Sequence, residues 1–124
     1  MTTWTADELA TVGTADELSI ASRRPDGSLR PFVIIWVVRA GDELFVRSAH
    51  GRTNPWFRRA VEAGTGRIRA GGVERDVRFE EPDSAVDAAI DAAYHAKYDH
   101  YGPSLVDPVV SSEAVRSTLR LIPS

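Results

Sequence analysis

Arg67-Ile68-Arg69-Ala70-Gly71-Gly72-Val73-Glu74-Arg75-Asp76-Val77-Arg78-Phe79-Glu80 reads as two strands joined by a two-residue turn. Adjacent glycines supply the positive φ that a tight hairpin needs at both central positions. With Gly71-Gly72 as the loop, Ala70 faces Val73, Arg69 faces Glu74, Ile68 faces Arg75 and Arg67 faces Asp76. One face then carries two opposite-charge pairs. The other carries Ile68, Ala70, Val73, Val77 and Phe79. Arg75 is in phase with this apolar set. A charge there must reach rim water, a carboxylate or a ligand anion, because an unpaired buried charge is strongly destabilising.

The elements on either side extend this pattern. Thr5 and Glu8 form a capping box that opens a short helix, with Trp4 and Leu9 as a staple-like pair and Gly13 as its stop. The pentapeptide Thr5–Leu9 recurs as Thr14–Leu18, but the second copy runs into the strand-like Ser19–Ser22. Pro25-Asp26-Gly27 is a turn. Leu29–Arg39 is apolar on both faces and reads as a strand covered on both sides, central to the fold. Gly41-Asp42 turns the chain into Glu43–Ser48. A polar loop, Ser48–Pro55, leads to a helix over Trp56–Ala63, with Asn54 as N-cap and Pro55 near N1. After the hairpin, Pro82-Asp83-Ser84 opens a long helix to about Tyr101, with Val86, Ile90, Ala93, Tyr94, Lys97, Tyr98 and Tyr101 along one stripe. Gly102-Pro103 stops it. A proline-bearing loop and a last strand over Val115–Leu121 complete the order α-β-β-β-α-β-β-α-β. Hairpins dominate, so the fold class is α+β: a six-stranded antiparallel split β-barrel.

The chain has 124 residues, fitting a single domain over 1–124. Hydrophobic residues make up 43% and charged residues 27%, an ordinary globular balance, and the formal net charge of -3 is not an electrostatic footprint for nucleic acid. There is no cysteine, which excludes disulfides and thiolate chemistry. Met1–Ala10 has no leader-like pattern, and the longest apolar run, Phe32–Val38, is too short to span a bilayer. A cytoplasmic protein with no membrane partner is expected. Lys97 is the one lysine among 15 basic residues, so any anion site would be built from arginine.

No self-sufficient catalytic motif is present, and no catalytic residue is assigned. His50, His95 and His100 have no nucleophile elbow to serve. Asp91 and His95 share a helix face without a third ligand, so no metal site is expected. Glu80, Glu81 and Asp83 read as a solvated cluster. Two features remain. Ser48–Asn54 lies between a strand and a helix N-terminus and is flanked by Arg47 and Arg52, the physical kit for a phosphate or polycarboxylate tail. Trp36 on the central strand and Trp56 at the helix start could wall a planar heterocycle; the Gly41-Asp42 turn sets Trp36 opposite Arg47. A connecting loop and two core tryptophans remain the plainer alternative.

Arg24–Pro31 followed by the apolar strand resembles the second-strand opening of flavin-binding split barrels, including the pyridoxamine-phosphate-oxidase-like proteins. Ser48–Phe57, with Gly51-Arg52 and Asn54-Pro55-Trp56-Phe57, is similar to the loop-helix segment of the deazaflavin-dependent nitroreductase branch. The resemblance covers Leu18–Glu80. The whole chain, with its Tyr94–Tyr101 helix and Ser104–Pro108, resembles a short uncharacterised family in that superfamily. It differs from the nitroreductases in a longer Trp56–Arg67 segment and in the added tyrosine-rich helix. The resemblance implies FMN or an F420-type deazaflavin held by Arg30, Trp36, Arg47, Ser48, Arg52, Asn54 and Trp56. The implied activity is an oxidoreductase passing hydride to a small organic substrate. The alternative is a non-catalytic binding or structural protein that has lost the cofactor. A homodimer is expected from the modest core of a small barrel, from Arg75 and from the superfamily's habit of dimerising.

Overall fold

The structure is a computed structural model that describes residues 3–124. Met1 and Thr2, at the head of the stretch read for a leader, lie outside the described residues. Helix α1 (Ala6–Thr14) starts on the expected capping box: Glu8 N–H donates to Thr5 Oγ1 at 3.1 Å, and Thr5 N–H donates to the Glu8 carboxylate at 2.9 Å. The helix continues through Gly13 instead of stopping there. That glycine serves close approach, since a Cβ on it would stand 3.1 Å from Arg39 Cβ.

Strand β1 (Leu18–Ser22) follows. The run Leu29–Arg39 does not form one central strand: it gives β2 (Val33–Ile35) and β3 (Val38–Ala40), separated by Trp36 and Val37. Then come β4 (Glu43–Arg47), α2 (Pro55–Ala63), β5 (Thr65–Ala70), β6 (Val73–Glu80), α3 (Asp87–Tyr98), α4 (Pro103–Val110), α5 (Ser112–Val115) and β7 (Thr118–Pro123). Two further expectations are corrected. The proline-bearing loop is helical, because Pro103 occupies the first helical turn, where its missing N–H has no role. The last strand starts at Thr118, because Ser111 caps a turn of helix that absorbs Val115.

The Gly71-Gly72 hairpin has the expected register throughout, from Ala70 opposite Val73 to Arg67 opposite Asp76. Both glycines have positive φ, 57° and 88°. Arg69 meets Glu74 and Arg67 meets Asp76, each at 2.8 Å.

The strands form one antiparallel sheet in the order β2-β1-β5-β6-β7-β4-β3. Its two edges are consecutive pieces of chain. Ile35 and Val38 are three residues apart, so their Cα atoms are at most ~11 Å apart. A flat sheet of this order would separate its edges by about 28 Å. The sheet therefore curls into a split barrel, and the second of the six expected strands becomes two segments because one run serves both edges. β2 is an edge strand with Val33 and Ile34 exposed, at 38% and 63%. The strand covered on both faces is β4 instead. Its Leu44 and Val46 point into the barrel with Leu18, Ile20, Ile68, Val77, Leu119 and Leu121. Its Phe45 joins Val38, Ile90, Tyr94, Tyr98, Val106 and Val109 in an outer layer under α3 and α4.

At the join between the two edges, Val37 is fully buried and has no ladder partner. Tyr98 supplies one. Val37 N–H donates to the Tyr98 hydroxyl at 3.2 Å, and the hydroxyl's proton lies between the carbonyl oxygens of Asp16 (2.8 Å) and Val37 (3.0 Å). Lys97 Nζ also donates to Val37 O, at 2.6 Å. Burial pulls the Lys97 amine down to about 8, against a smaller opposing pull from Asp16.

Arg75 finds its carboxylate within the chain: it donates to Glu8 at 2.6 Å and lies over the Trp4 ring. The Arg75 motive for a dimer is thereby removed.

Replacing Tyr98 with Phe keeps the ring and strands the Val37 N–H. A loss of about 2 kcal/mol is expected in urea unfolding followed by circular dichroism. A loss under about 0.5 kcal/mol, the scale of an ordinary surface change, would contradict the role given to this hydroxyl. Glu8→Gln keeps the capping acceptor and removes the charge facing Arg75. The Thr5 N–H, and then Arg75, hold the Glu8 carboxyl below its ordinary 4.5. Its contribution is thus present above pH 4.5 and lost as pH falls through the folded value. The variant should be about 0.5–1 kcal/mol less stable at neutral pH, and the difference should vanish in acid.

Candidate functional site

The barrel's closure builds a cleft of about 400 Å³ beside the join. Four pieces of chain line it: Val33–Trp36, the end of β4 and its loop (Arg47, Ala49, His50), the start of α2 (Asn54, Trp56), and Leu105 and Val109 of α4. Most of this lining is apolar or aromatic. Pro55 sits at the first position of α2, and the Asn54 side chain makes no capping bond, so its amide is free to meet a ligand.

Trp36 and Trp56 both line the cleft. Trp36 does not pair with Arg47, although the β3–β4 register is the expected one, Ala40 opposite Glu43. The ladder stops at Val38, and the Trp36 ring stacks on Tyr98 instead, with centroids 3.9 Å apart and planes 2° from parallel. Trp36 is held as a wall by the tyrosine-rich helix.

The arginines divide in a way the sequence did not show. The Arg47 side chain is fully buried. It donates to Asp91 at 2.5 Å, Thr118 Oγ1 at 2.9 Å, Val109 O at 3.1 Å and Asp87 O at 3.4 Å. These bonds tie β4 to α3, α4 and β7. Arg52 pairs with Glu81 and donates to Arg116 O at 2.8 Å; the Glu81 hydrogen bond raises its already high pKa. The two arginines expected to hold an anionic tail are thus committed to protein acceptors. Asp91, the carboxylate weighed as a metal ligand, serves Arg47, and His95 pairs with Asp99 at 2.8 Å. Ser48 is fully buried with its hydroxyl unpartnered. Gly51 packs against Glu113, so the loop presents less of an open cradle than its composition implied.

Arg30 is placed differently. It lines a small hollow with Ser22, Val33, Trp56 and Arg59, and this hollow shares Val33 and Trp56 with the cleft. Its buried Nε has no hydrogen-bond partner, and among the described residues neither Arg30 nor Arg59 is in an ion pair. The uncommitted cations near the cleft therefore line the hollow that shares Val33 and Trp56 with it. Sequence reasoning missed Arg59, His50, Leu105 and Val109. Arg59 had a readable signal, since the α2 sequence puts it one turn after Trp56. Leu105 and Val109 had none once their segment was read as a loop.

Among solved structures, the chain resembles a protein of unknown function from Agrobacterium tumefaciens, with a TM-score of 0.64 and 11% identity over 91% of this chain and 49% of that one. The chain spans about half the length of that protein. It also resembles an F420 reductase (TM-score 0.56, 14% identity, 94% of this chain and 92% of that one). A FAD-binding protein from Mesorhizobium loti matches with a TM-score of 0.55 and 18% identity over 98% of this chain and 91% of that one. These likenesses give the fold, an antiparallel split barrel with helices packed against it. No curated protein matches in sequence. The sequence profile of one family matches residues 8–121, nearly the whole chain, and the protein belongs to that family, described as an uncharacterized protein conserved in bacteria (DUF2255).

Proposed function

We propose that the cleft beside Trp36 binds a flavin- or deazaflavin-type cofactor, and that the protein is an oxidoreductase reducing a small organic substrate. The observation that carries this reading is the pairing of two tryptophan walls with an uncommitted arginine pair next to one of them. Apolar walls and indole faces suit a planar heterocycle. Arg30 and Arg59 suit the phosphate of its tail, with planar multi-donor groups and no competing carboxylate. When bound, such a group supplies the hydride chemistry, and the chain supplies binding, orientation and exclusion of water. Asn54 and the first amides of α2 would orient polar ring edges, and His50 is the titratable side chain at the cleft mouth. Trp36, backed by Tyr98, fixes one wall. This assignment keeps Arg30, Trp36, Asn54 and Trp56 as ligand-facing residues and gives Arg47 the task of bracing the cleft.

A second reading is a binding or structural protein that has kept the barrel and lost the cofactor. It is favoured by the commitment of Arg47 and Arg52 to Asp91 and Glu81, which leaves the Ser48–Asn54 loop without a free cation.

Titration with FMN and with an F420-type deazaflavin, followed by ligand fluorescence and melting temperature, separates the two. A cofactor at a hundredfold over its Kd should raise stability by about 2.7 kcal/mol. Trp56→Ala should weaken binding by about tenfold or more, the scale of one stacking contact. Arg59→Ala should weaken it severalfold and Arg52→Ala should leave it unchanged. Absence of binding by either compound would leave the non-catalytic reading, and loss with Arg52→Ala alone would return the anion site to the Ser48–Asn54 loop. The homodimer proposal now stands on barrel size and on the open edge of β2. Light scattering at micromolar concentration should give twice the chain mass.

A further inference from the structure

The wall of the cleft continues into the protein as aromatic rings. Trp36 stacks on Tyr98 at 3.9 Å, and Tyr101 lies 5.7 Å from Trp36 and 6.2 Å from Tyr98, within 26° of parallel to each. Tyr101 is 41% exposed, and its hydroxyl donates to the Asp16 carboxylate at 2.7 Å. One end of the stack therefore borders the cleft and the other reaches solvent with a base in contact.

We propose that the Trp36–Tyr98–Tyr101 stack is a one-electron relay that carries oxidising equivalents from the cleft wall to the surface, with Asp16 taking the phenolic proton of Tyr101. An inorganic radical of the azidyl kind that reaches the cleft wall removes an electron from the Trp36 indole and leaves as its anion, so that Trp36 is oxidised and the radical reduced by one electron each. Tyr101 then returns an electron to Trp36 through the stacked rings. As that electron leaves, the Tyr101 O–H bond breaks and an Asp16 O–H bond forms. The products are a neutral tyrosyl radical, a carboxylic acid and restored Trp36, so charge and atoms balance.

Three observations select this path. First, the chain has no cysteine, so no thiol competes as a sink. Second, among the described residues only Tyr101 of the three tyrosines has a carboxylate acceptor. The Tyr98 hydroxyl faces backbone carbonyls, and the buried Tyr94 hydroxyl has the backbone of Arg47 beside it. Third, the hydrogen bond to Asp16 raises the Tyr101 pKa, so the phenol keeps its proton at rest. Oxidation makes a phenol far more acidic than a carboxylic acid, and only then does the proton cross. The inference does not depend on the identity of the cleft's occupant.

Pulse radiolysis of the full chain with azidyl radical, which oxidises tryptophan first, tests the relay without any cofactor. The expected result is a decay of tryptophan radical matched by growth of tyrosyl radical, first order and independent of protein concentration. Tyr101→Phe and Trp36→Phe keep an aromatic ring in each place and should remove this phase; Tyr101→Phe should leave the radical on tryptophan, Trp36 included, and Trp36→Phe should leave it on Trp4 and Trp56. Asp16→Asn keeps a hydrogen-bond acceptor but removes the base, and should slow the phase by about tenfold or more. Melting temperature and near-UV circular dichroism establish that each variant is folded. An unchanged phase in Tyr101→Phe or in Trp36→Phe overturns the proposal, as does wild-type rate in Asp16→Asn or transfer that depends on protein concentration.

Discussion

A strand that serves both edges of one sheet must leave a peptide without a ladder partner, and here that peptide is Val37. A buried N–H and C=O pair left bare would cost several kcal/mol, comparable to much of a small domain's net stability. Tyr98 and Lys97 remove that cost. The phenol accepts from the N–H, and both side chains point donors at the carbonyl. Curling of the sheet, the two-sided burial of β4 and the position of the cleft all presuppose this seal. The helix that looks like an addition to the barrel is therefore part of what closes it.

The same helix sets the electrostatics of the cleft. Arg47 would be a free cation at the end of β4 if α3 did not bring Asp91 to it and α4 did not bring the Val109 carbonyl. A buried guanidinium so enclosed is a brace, and removing any one acceptor would leave a charge in a dry place. Consuming that charge leaves a mostly apolar cleft, with its uncommitted cations displaced to the Arg30–Arg59 hollow.

Local determinants were legible in the sequence. The Gly71-Gly72 hairpin could be read residue by residue, because its turn chemistry, its charge pairs and its alternation lie within 14 consecutive positions. The Thr5–Glu8 capping box is equally local. The break at Trp36-Val37 could not be read, since nothing in an apolar β-branched run marks where it changes partners. Arg75 looked stranded because its carboxylate, Glu8, lies 67 residues away. Arg47 and Arg52 looked available for the same reason: their acceptors come from α3, α4, β7 and Glu81 just beyond β6. Candidate walls were therefore visible in the sequence as residue types, while the charges that are actually uncommitted could be identified only after packing.

Lys97 offers one more consequence. A lysine-specific endoprotease has a single target in this chain, the bond between Lys97 and Tyr98 in the last turn of α3. That bond is protected while Tyr98 is buried and Lys97 is tethered to Val37. Cleavage requires the helix end to lift from the barrel, so under fast reclosing its rate is proportional to the open fraction at this one place. The amino-acid composition has thus given the molecule a built-in gauge of local opening at the join, readable as one cut into two fragments without a label.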